Sequence, residues 1–564
     1  MVATEGVSTA ACLHTASASA ATIDTLGVSK KKLHGRAFYE SIGCPKYVVA
    51  PMVDQSEFAW RMLTRSYMEP EKASSVLGYT PMLHARLFSQ DAKYRASHFQ
   101  CLREDKPWLD GNPKLDRPLI VQFCANDPEI LLEAAKHVAP YCDAVDLNFG
   151  CPQGIAKRGH YGSFLQEDQD LIHRLVKILH ENLDVPVTAK IRILETKEKT
   201  LDYAKNVLSA GASILTVHGR RREQKGHLTG LADWDYIRYL RDNLPADTVI
   251  FANGNILQHE NLEDCLRITG ADGVMSAEGN LSDPAIFAGI PLLDNPDKLS
   301  PEMKREYWVG VDGRGGFRLD GILRRYFDLL YRYAAEKPAP ERRPLFVPGD
   351  DEAWISAFEQ DALAQAQAAE EEGEPARKKR KVAPTAPMSP GSAKAAKNAP
   401  TNPNFAAVQT HLFHLLRHLV SRHTDIRDML ARCVRGDLDG YERILTAVEY
   451  KIAKGMLEYE KTKGKSWGEE VEKHIASKRA AFSGVDKLAA SDENKTGEEI
   501  GAEETEEDNP DSSIPTIRKC IRPWWIAQPI IRPLPKEALA KGSIALSKKK
   551  TKTQTQEVEK SKGA

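Results

Sequence analysis

Cys151 is the residue with the clearest potential for chemistry, and it lies in the segment NFGCP at positions 148–152. Gly150 and Pro152 on either side bend the chain, so the thiol can project from a loop that follows an apolar run. A cysteine thiol with an ordinary pKa of about 8.5 is mostly neutral at pH 7 and can donate a proton as a general acid. We therefore interpret Cys151 as catalytic. Buried, unreactive cysteines are more common, and we expect this of Cys124, Cys142 and Cys265.

Two basic side chains, Lys190 and His218, lie near the ends of two neighbouring apolar runs, 186–193 and 214–218. An ammonium group at a buried position is costly unless it neutralises an anion. The anionic edge of a reduced flavin is one such partner for Lys190. A structural salt bridge is the alternative.

Small residues form two loops, Asn253-Gly254-Asn255 and Ala277-Glu278-Gly279, each of which follows an apolar run. Backbone N–H groups in such loops bind phosphate in many barrels, where the loops follow the seventh and eighth strands. Ordinary tight turns between a strand and a helix would also use these glycines, so both interpretations stay open at this point.

The elements that would position these residues are eight short apolar runs, separated by segments with helical periodicity such as 129–139 and 171–183. Alternating strands and helices predict a parallel sheet. Eight such units in about 250 residues favour a closed (β/α)8 TIM barrel, an α/β fold, over an open doubly wound sheet. The segment MVDQSEF after the first run also lacks the Gly-rich fingerprint of the open fold. The predicted strands are 47–52, 77–83, 119–123, 144–149, 186–193, 214–218, 248–253 and 273–277.

The carboxyl ends of these strands carry polar side chains that a purely structural barrel would not need. Catalytic and binding residues of a TIM barrel lie at this end, so we expect one site built from several strands. The strand ends are Pro51-Met52-Val53, Thr80-Pro81-Met82, Gln122-Phe123-Cys124, Asn148–Cys151, Lys190-Ile191-Arg192, His218-Gly219-Arg220, Asn253-Gly254-Asn255 and Ser276–Gly279.

Composition divides the 564 residues into parts and limits the function. The 78 basic and 79 acidic residues give a net charge of −1, which excludes a uniformly basic nucleic-acid coat protein. No apolar run reaches the roughly 20 residues that span a bilayer, and nine cysteines without a C-x-x-C pair give no support to a zinc site. We expect a monomer with no metal and no membrane partner. The predicted parts are a disordered leader over 1–35, the barrel over 36–295, helical segments over 296–340 and 404–463, a low-complexity insertion over 341–403 and a mostly disordered tail over 464–564, acidic first and then Lys-rich.

The segment 404–463 combines an apolar helical stripe with many basic residues, which suits contacts with a phosphate backbone. The stripe, predicted to be core, is Leu412, Leu415, Leu416 and Leu419. For three histidines on a neighbouring face we favour an RNA-facing or solvent-facing position over a metal site, and these are His411, His414 and His418. The basic residues are Arg417, Arg422, Arg427, Arg432 and Arg435.

Several segments together resemble the tRNA-dihydrouridine synthases, and the resemblance covers roughly 36–335 and helices beyond it. The most specific segment is NFGCPQ-x-x-x-KRG-x-YG at 148–162. YTPMLHA at 79–85 with VMSAEGNL at 274–281 is similar to the eukaryotic subfamily that acts on uridines 16 and 17 of the D-loop. One departure is MSAEG, where many members have M-x-G-R. The other matching segments are APMVDQSEFAW (50–60), LIVQFCANDPE (119–129), AKIRI (189–193), TVHGR (216–220) and FANGNI (251–256).

The resemblance implies an FMN cofactor in the barrel mouth and assigns residues to it. Pro51, Met52 and Val53 would line the flavin ring, and Gln122 would hydrogen-bond its polar edge. Lys190 would stabilise the reduced flavin, and His218 would contact the ring or ribityl chain. The residues around the phosphate would be Asn253, Gly254, Asn255, Ala277 and Glu278. Cys151 would be the general acid, and Asn148 and Arg192 would contact the uracil edge. For Arg192, pairing with an acidic side chain is the structural alternative.

The implied reaction is reduction of uridine to dihydrouridine. NADPH or NADH would reduce FMN, and a uridine of the tRNA D-loop would leave the base stack to reach the flavin. Hydride would go to C6 while Cys151 protonates C5, and the helical segments would bind tRNA. Two alternatives are an FMN enzyme that acts on a free pyrimidine and a tRNA-binding protein without activity. The basic run PARKKRKV at 375–382 resembles a nuclear localisation signal, so we expect the nucleus, the cytoplasm or both.

Overall fold

The computed structural model describes residues 32–289, 301–371, 402–473, 475–476 and 522–529. Most of the predicted leader, the basic run at 375–382, the acidic stretch at 485–512 and the Lys-rich end lie outside these residues. Within the described part of the chain, no helix is long and apolar enough to cross a bilayer.

Eight parallel strands close into a barrel, which confirms the predicted TIM fold. Each strand pairs with its neighbour in chain order, and β1 pairs with β8 through Tyr47 and Val274 to complete the circle. The strand interiors are almost fully buried, as continuous apolar runs require. The strands are β1 Tyr47–Val49, β2 Val76–Tyr79, β3 Leu119–Cys124, β4 Ala144–Asn148, β5 Val187–Arg192, β6 Ala212–His218, β7 Val249–Asn253 and β8 Gly273–Ser276.

Amphipathic helices cover the outside of the barrel. Gln169–Asn182 is typical, because Ile172 and Val176 face the strands and Asp168 caps its first turn by accepting from the Leu171 N–H at 3.0 Å. Gly35–Ser41 precedes β1. The helices after the strands are Phe58–Arg65, Ala85–Gln90, Ala92–His98, Pro128–Val138, Gly154–Gly159, Gln169–Asn182, Lys197–Ser209, Trp234–Asn243, Glu260–Thr269 and Glu278–Ser282.

A helical region follows the barrel and packs directly against it. The predicted leucine stripe is buried there, with Leu412, Leu416 and Leu419 fully covered, which confirms it as core. Leu330–Ala335 continues the preceding helix as a π-helical turn. The elements are Pro301–Glu306, Leu319–Leu329, Leu330–Ala335, Ala353–Glu371, Pro403–Leu415, Arg417–Val420, Thr424–Arg432 and Leu438–Thr462.

The contact between barrel and helices corrects one prediction. His411 is fully buried, stacks on Trp60 at 3.9 Å between ring centroids, and lies 3.0 Å from Glu57 through Nε2. The prediction of an RNA-facing or solvent-facing position is therefore wrong for His411. The reason is tertiary, because a buried carboxylate on the barrel supplies the polar partner that allows an imidazole into the core.

Two segments differ in secondary structure from the prediction. Ala353–Glu371 is a helix inside the expected insertion, and its first turn is anchored by Ile355 and by Trp354, whose ring lies 3.6 Å below the Arg343 guanidinium. Gly315–Phe317 forms an antiparallel hairpin with Tyr307–Val309, so the segment 296–340, which was predicted to be helical, also contains two strands.

The tail returns to this hairpin at residues 522–529. The Leu319 N–H donates to the Trp525 carbonyl at 2.9 Å, and the Ala527 N–H donates to the Phe317 carbonyl at 2.9 Å. Trp525 is only 3% exposed, so the tail segment is part of the core and not a loose extension.

Candidate active site

The carboxyl ends of the last four barrel strands surround a cavity of about 290 Å³. Seven of the residues predicted for the site line it, and they are Arg192, His218, Asn253, Gly254, Asn255, Ala277 and Glu278. The predicted residues outside its lining are Pro51, Met52, Val53, Gln122, Asn148, Cys151 and Lys190. Lys190 and Cys151 are nevertheless its immediate neighbours, since Lys190 hydrogen-bonds Asn253 and Cys151 precedes the lining residue Pro152.

Lys190 brings a positive charge to this cavity. Its Nζ donates to Asn253 Oδ1 at 3.0 Å, a neutral partner. Burial and the nearby charge of Arg192 lower the pKa of Lys190 to about 8. Among the described residues Lys190 forms no ion pair, so the structural salt bridge considered from the sequence is not found there. The ammonium group is therefore available to an anionic ligand.

His218 is held in its neutral form. Burial and the surrounding cations Arg192, Lys190 and Arg220 lower the pKa of His218 well below its usual value. The Arg220 guanidinium donates to His218 Nε2 at 3.1 Å, which fixes the ring proton on Nδ1. His218 therefore presents an apolar ring and one N–H donor, and adds no charge.

The loop after β7 is shaped by Gly254. Its φ is +113°, and a Cβ at this position would lie 2.6 Å from Ala232 Cβ and 3.0 Å from His218 Cδ2. Only glycine fits such a conformation in so little space. The neighbouring Asn255 accepts from Arg220 at 2.6 Å through Oδ1, so a positive charge lies beside this loop.

The loop after β8 packs on the loop after β7. Ser276 Oγ donates to the Ile256 carbonyl at 2.9 Å, and a Cβ on Gly279 would lie 2.3 Å from the same oxygen. Ala277 and Glu278 follow Ser276 and begin the short helix Glu278–Ser282. The two predicted phosphate loops therefore form one continuous wall of the cavity.

Cys151 sits in a loop whose amide groups are bound by one side chain. Asn148 Oδ1 accepts from the Gly150 N–H at 3.1 Å and from the Cys151 N–H at 2.9 Å. The Phe149 N–H donates to the Lys190 carbonyl at 2.9 Å. The loop thus stays attached to the ends of β4 and β5.

The carbonyl groups of the same loop are bound from the other side. Arg192 Nε donates to the Gly150 carbonyl at 2.7 Å, and Lys225 Nζ donates to the Pro152 carbonyl at 2.6 Å. Ser163 donates to the Cys151 carbonyl twice, through its N–H at 3.1 Å and its hydroxyl at 2.9 Å. So many bonds fix the backbone of this loop and thereby the position from which the Cys151 thiol projects.

Asn148 and Arg192 therefore have a structural task that the sequence did not reveal. Arg192 bonds two carbonyls, those of Gly150 and Arg221, and among the described residues it forms no ion pair. Burial lowers the pKa of Arg192 to about 10. Contacts of Asn148 and Arg192 with a uracil stay predictions.

Gln122 lies below the cavity, fully buried in the barrel interior. Its Nε2 donates to Asp146 Oδ2 at 2.8 Å, and its Oε1 accepts from Asn148 Nδ2 at 2.8 Å. Asp146, also fully buried, has its pKa raised to about 6 by burial. Contact of Gln122 with a flavin stays a prediction, as do those of Pro51, of Met52 and of Val53, which is 54% exposed after β1.

The three cysteines expected to be inert are buried as predicted. Burial raises the pKa of Cys124 to about 12 and that of Cys265 to about 12, and it also raises the pKa of Cys142. Cys151 is only partly buried. No group of His, Cys, Asp and Glu side chains within the described ranges could hold a metal ion.

Sequence reasoning missed Lys225, Ser163 and Asp146 as parts of the site, and it placed Arg220 at a strand end without giving it a role. Arg220 lies two residues after the end of β6, in the motif TVHGR, and this position beside His218 could have indicated its role. Asp146 is a carboxylate inside an apolar strand, which is an equally visible feature. Ser163 and Lys225 reach Cys151 only through tertiary contacts, and no spacing in the sequence reveals them.

Comparison with known proteins gives a consistent set of similarities. The dihydrouridine synthase (Dus) family profile matches residues 48–311. A Schizosaccharomyces pombe protein named tRNA-dihydrouridine(16/17) synthase is 37% identical over 508 residues, which cover 90% of this chain and 93% of that protein. A Saccharomyces cerevisiae protein of the same name is 55% identical over 300 residues, 53% of this chain and 64% of that protein. The chain thus spans slightly under two thirds of this second relative. The name of each relative includes NAD(P)(+).

Proposed function

The chain belongs to the dihydrouridine synthase family, and on that premise we propose that it reduces uridines 16 and 17 of the tRNA D-loop to dihydrouridine, with FMN as cofactor and NADPH or NADH as reductant. The observation that carries the proposal is the fixed Cys151 loop beside a cationic cavity at the carboxyl end of the barrel. A thiol whose loop is held by seven hydrogen bonds, next to the partly buried Lys190 and the buried Arg192, is suited to donate a proton to a bound base.

The donor set of the cavity fits FMN. Lys190, which is partly buried, and Arg192, which is buried, have no ion-pair partner among the described residues, and such charges favour an anion. Arg220 adds a third positive charge beside Asn255, where the paired loops after β7 and β8 offer backbone N–H groups to a phosphate. Lys190 would hold the anionic edge of the ring system, and His218 would contact the cofactor through its neutral ring.

The reaction divides between cofactor and protein. Bound FMN, once reduced by NADPH or NADH, would supply the hydride for C6 of the uracil ring. Cys151 donates its Sγ proton to C5, so one hydride and one proton saturate the C5=C6 bond. The thiolate left on Cys151 recovers a proton from solvent.

Binding of tRNA would involve the helical region as well as the barrel. Arg417, Arg427 and Arg432 are exposed there, where they can contact phosphates. The target uridine must leave the base stack to reach Cys151, as for other enzymes that act on a base. A free pyrimidine would need no such surface, so an assay with tRNA against free uracil or orotate separates the two substrates.

Cys151→Ala tests the proton donor directly. The variant should keep its flavin and its reduction by NADPH, because neither step uses the thiol, but it should lose uridine reduction by roughly 10²–10⁴-fold. The measurement is dihydrouridine formed in tRNA per flavin. Cys124→Ala is the matched control, since Cys124 lies in the same side-chain cluster but has no assigned role.

Two outcomes would contradict the proposal. Near-normal turnover by Cys151→Ala would remove Cys151 from the reaction. A wild-type protein that binds tRNA but shows no flavin absorbance, even after incubation with FMN, would favour a tRNA-binding protein without activity.

A further inference from the structure

The bonds that hold Cys151 do not end at Asn148. Asn148 Nδ2 donates to Gln122 Oε1 at 2.8 Å, and Gln122 Nε2 donates to Asp146 Oδ2 at 2.8 Å. The other oxygen of Asp146 accepts from the Thr188 hydroxyl at 2.6 Å. A single chain of hydrogen bonds thus connects the barrel interior with the amides of Gly150 and Cys151.

This chain has a direction. The amides of Gly150 and Cys151 can only donate, so the oxygen of Asn148 must face them and its NH2 group must face Gln122. The oxygen of Gln122 must then face Asn148, and its NH2 group must find an acceptor below. Asp146, Gln122 and Thr188 are fully buried, so the acceptor must come from the protein. An ionised Asp146, which can only accept, satisfies this requirement.

We propose that Asp146 is a positioning residue that fixes Cys151 through the directional relay Asp146–Gln122–Asn148. The effect of the relay on catalysis rests on the proposed function. Its effect on the loop does not, because that effect is measurable without substrate. The relay also explains the buried carboxylate in this barrel strand. Burial of a carboxylate costs free energy unless hydrogen bonds satisfy its oxygens, and Gln122 and Thr188 supply these bonds.

Three variants distinguish a hydrogen-bonded relay from an effect of the Asp146 charge alone. Asp146→Asn should be tolerated, because its oxygen can accept from Gln122 while its NH2 group donates to the Thr188 hydroxyl, which accepts as well as donates. Thr188→Val should also be tolerated, because Asp146 still accepts from Gln122. The double variant D146N/T188V leaves the NH2 group of residue 146 buried without an acceptor. Its amide either stays unsatisfied or turns this NH2 group toward Gln122, which removes the acceptor of the relay.

The primary readout is hydrogen exchange of the peptide that contains the Gly150 and Cys151 amides, in the flavin-loaded protein. We expect exchange close to wild type in each single variant, where the bonds of the relay itself remain, and an increase of about 10-fold in the double variant, the factor that corresponds to the loss of one relay hydrogen bond of about 1.4 kcal/mol. Asp146→Val, which removes the acceptor outright, should show the same increase. In tRNA assays the two defective variants should lose kcat with little change in KM, since the thiol is displaced but the RNA surface is intact.

Other results would overturn the relay. Equal exchange and kcat in wild type and D146N/T188V would show that the direction of these bonds does not matter. A defect in Asp146→Asn as large as in Asp146→Val, with loss of flavin, would show instead that the charge of Asp146 acts on Lys190. If Asp146→Val does not fold, the relay is still tested by comparing the exchange of the double variant with that of its two single variants. The two proposals fail separately. An inactive wild-type protein would refute the proposed function, and wild-type exchange in the double variant would refute the relay whether or not the protein is active.

Discussion

At the scale of single residues, Lys190 carries the charge on which we expect anion binding at the cavity to depend. Its pKa of about 8 means that the ammonium form dominates below pH 8 and is lost as the pH rises through that value. We therefore predict that FMN affinity of the apoprotein falls between pH 7 and pH 9.5. Flavin fluorescence titrations at a series of pH values measure this change.

The matched variant for this prediction is Lys190→Met, which keeps the length of the side chain but not the charge. Its affinity should be lower at pH 7 and should vary less with pH over the same range. An unchanged pH profile in the variant would assign the titration to another group, and a wild-type affinity would show that Lys190 does not contact the cofactor.

At the level of elements, the loop after β7 depends on the absence of a side chain at Gly254. Gly254→Ala would force a Cβ to within 2.6 Å of Ala232 Cβ, and the loop would have to move away from His218. We predict that FMN affinity falls by about 10–100-fold, which corresponds to roughly 1.4–2.8 kcal/mol, while the barrel stays folded.

Gly313→Ala is the control for this change. Gly313 also has a positive φ, +75°, but nothing lies within 4 Å of a Cβ built on it, and it belongs to the hairpin beyond the barrel. The control should bind FMN normally in equilibrium dialysis and lose only a little thermal stability. Equal affinities of the two variants would mean that the loop does not contact the cofactor.

The elements also show where sequence reasoning succeeds and where it ends. Buried parallel strands are continuous apolar runs, so β7 was predicted at 248–253 and lies at Val249–Asn253. The helix Ala353–Glu371 was missed, because its Ala, Gln and Glu residues give no strong apolar face. The anchoring side chains that the structure describes, Trp354 and Ile355, lie in its first turn. The core position of Trp525 was also missed, because its partner Leu319 is about 200 residues away in the chain.

In the candidate site, too, some features could be predicted from the sequence and others could not. Residues at strand ends, such as Lys190 and Asn253, could be predicted because the fold places all strand ends at one rim. The bonds from Ser163 and Lys225 to the Cys151 loop could not, because they depend on how later loops fold back over the barrel mouth.

At the scale of the whole molecule, exposed arginines of the helical region give a test of tRNA binding. Reversal of three charges in Arg427→Glu, Arg432→Glu and Arg435→Glu should weaken tRNA binding by about 10-fold or more and reduce the slope of log K against log salt by roughly 2 to 3. FMN content should not change, because these residues do not line the cavity. Binding isotherms at several salt concentrations provide both numbers.

A control with the same change in net charge uses the barrel's outer helices, with Arg174→Glu, Lys177→Glu and Arg238→Glu. These residues are exposed on Gln169–Asn182 and Trp234–Asn243. The control should reduce affinity much less. If both triple variants bind equally weakly, net charge and not the helical surface determines tRNA affinity.

The contact between Glu57 and His411 joins residues 354 positions apart, and the Ala59 N–H donates to Asn404 over 345 positions. A ribosome adds roughly 5–20 residues per second, so about 20–70 s pass between synthesis of the first partner and the second. During that interval the nascent barrel carries Trp60 on a helix whose cover does not yet exist. Biosynthesis of this protein therefore includes a period, after the last strand Gly273–Ser276 and before Asn404 and His411 are made, in which a completed barrel leaves Trp60 without its cover, and slower translation between 276 and 404 lengthens that exposure.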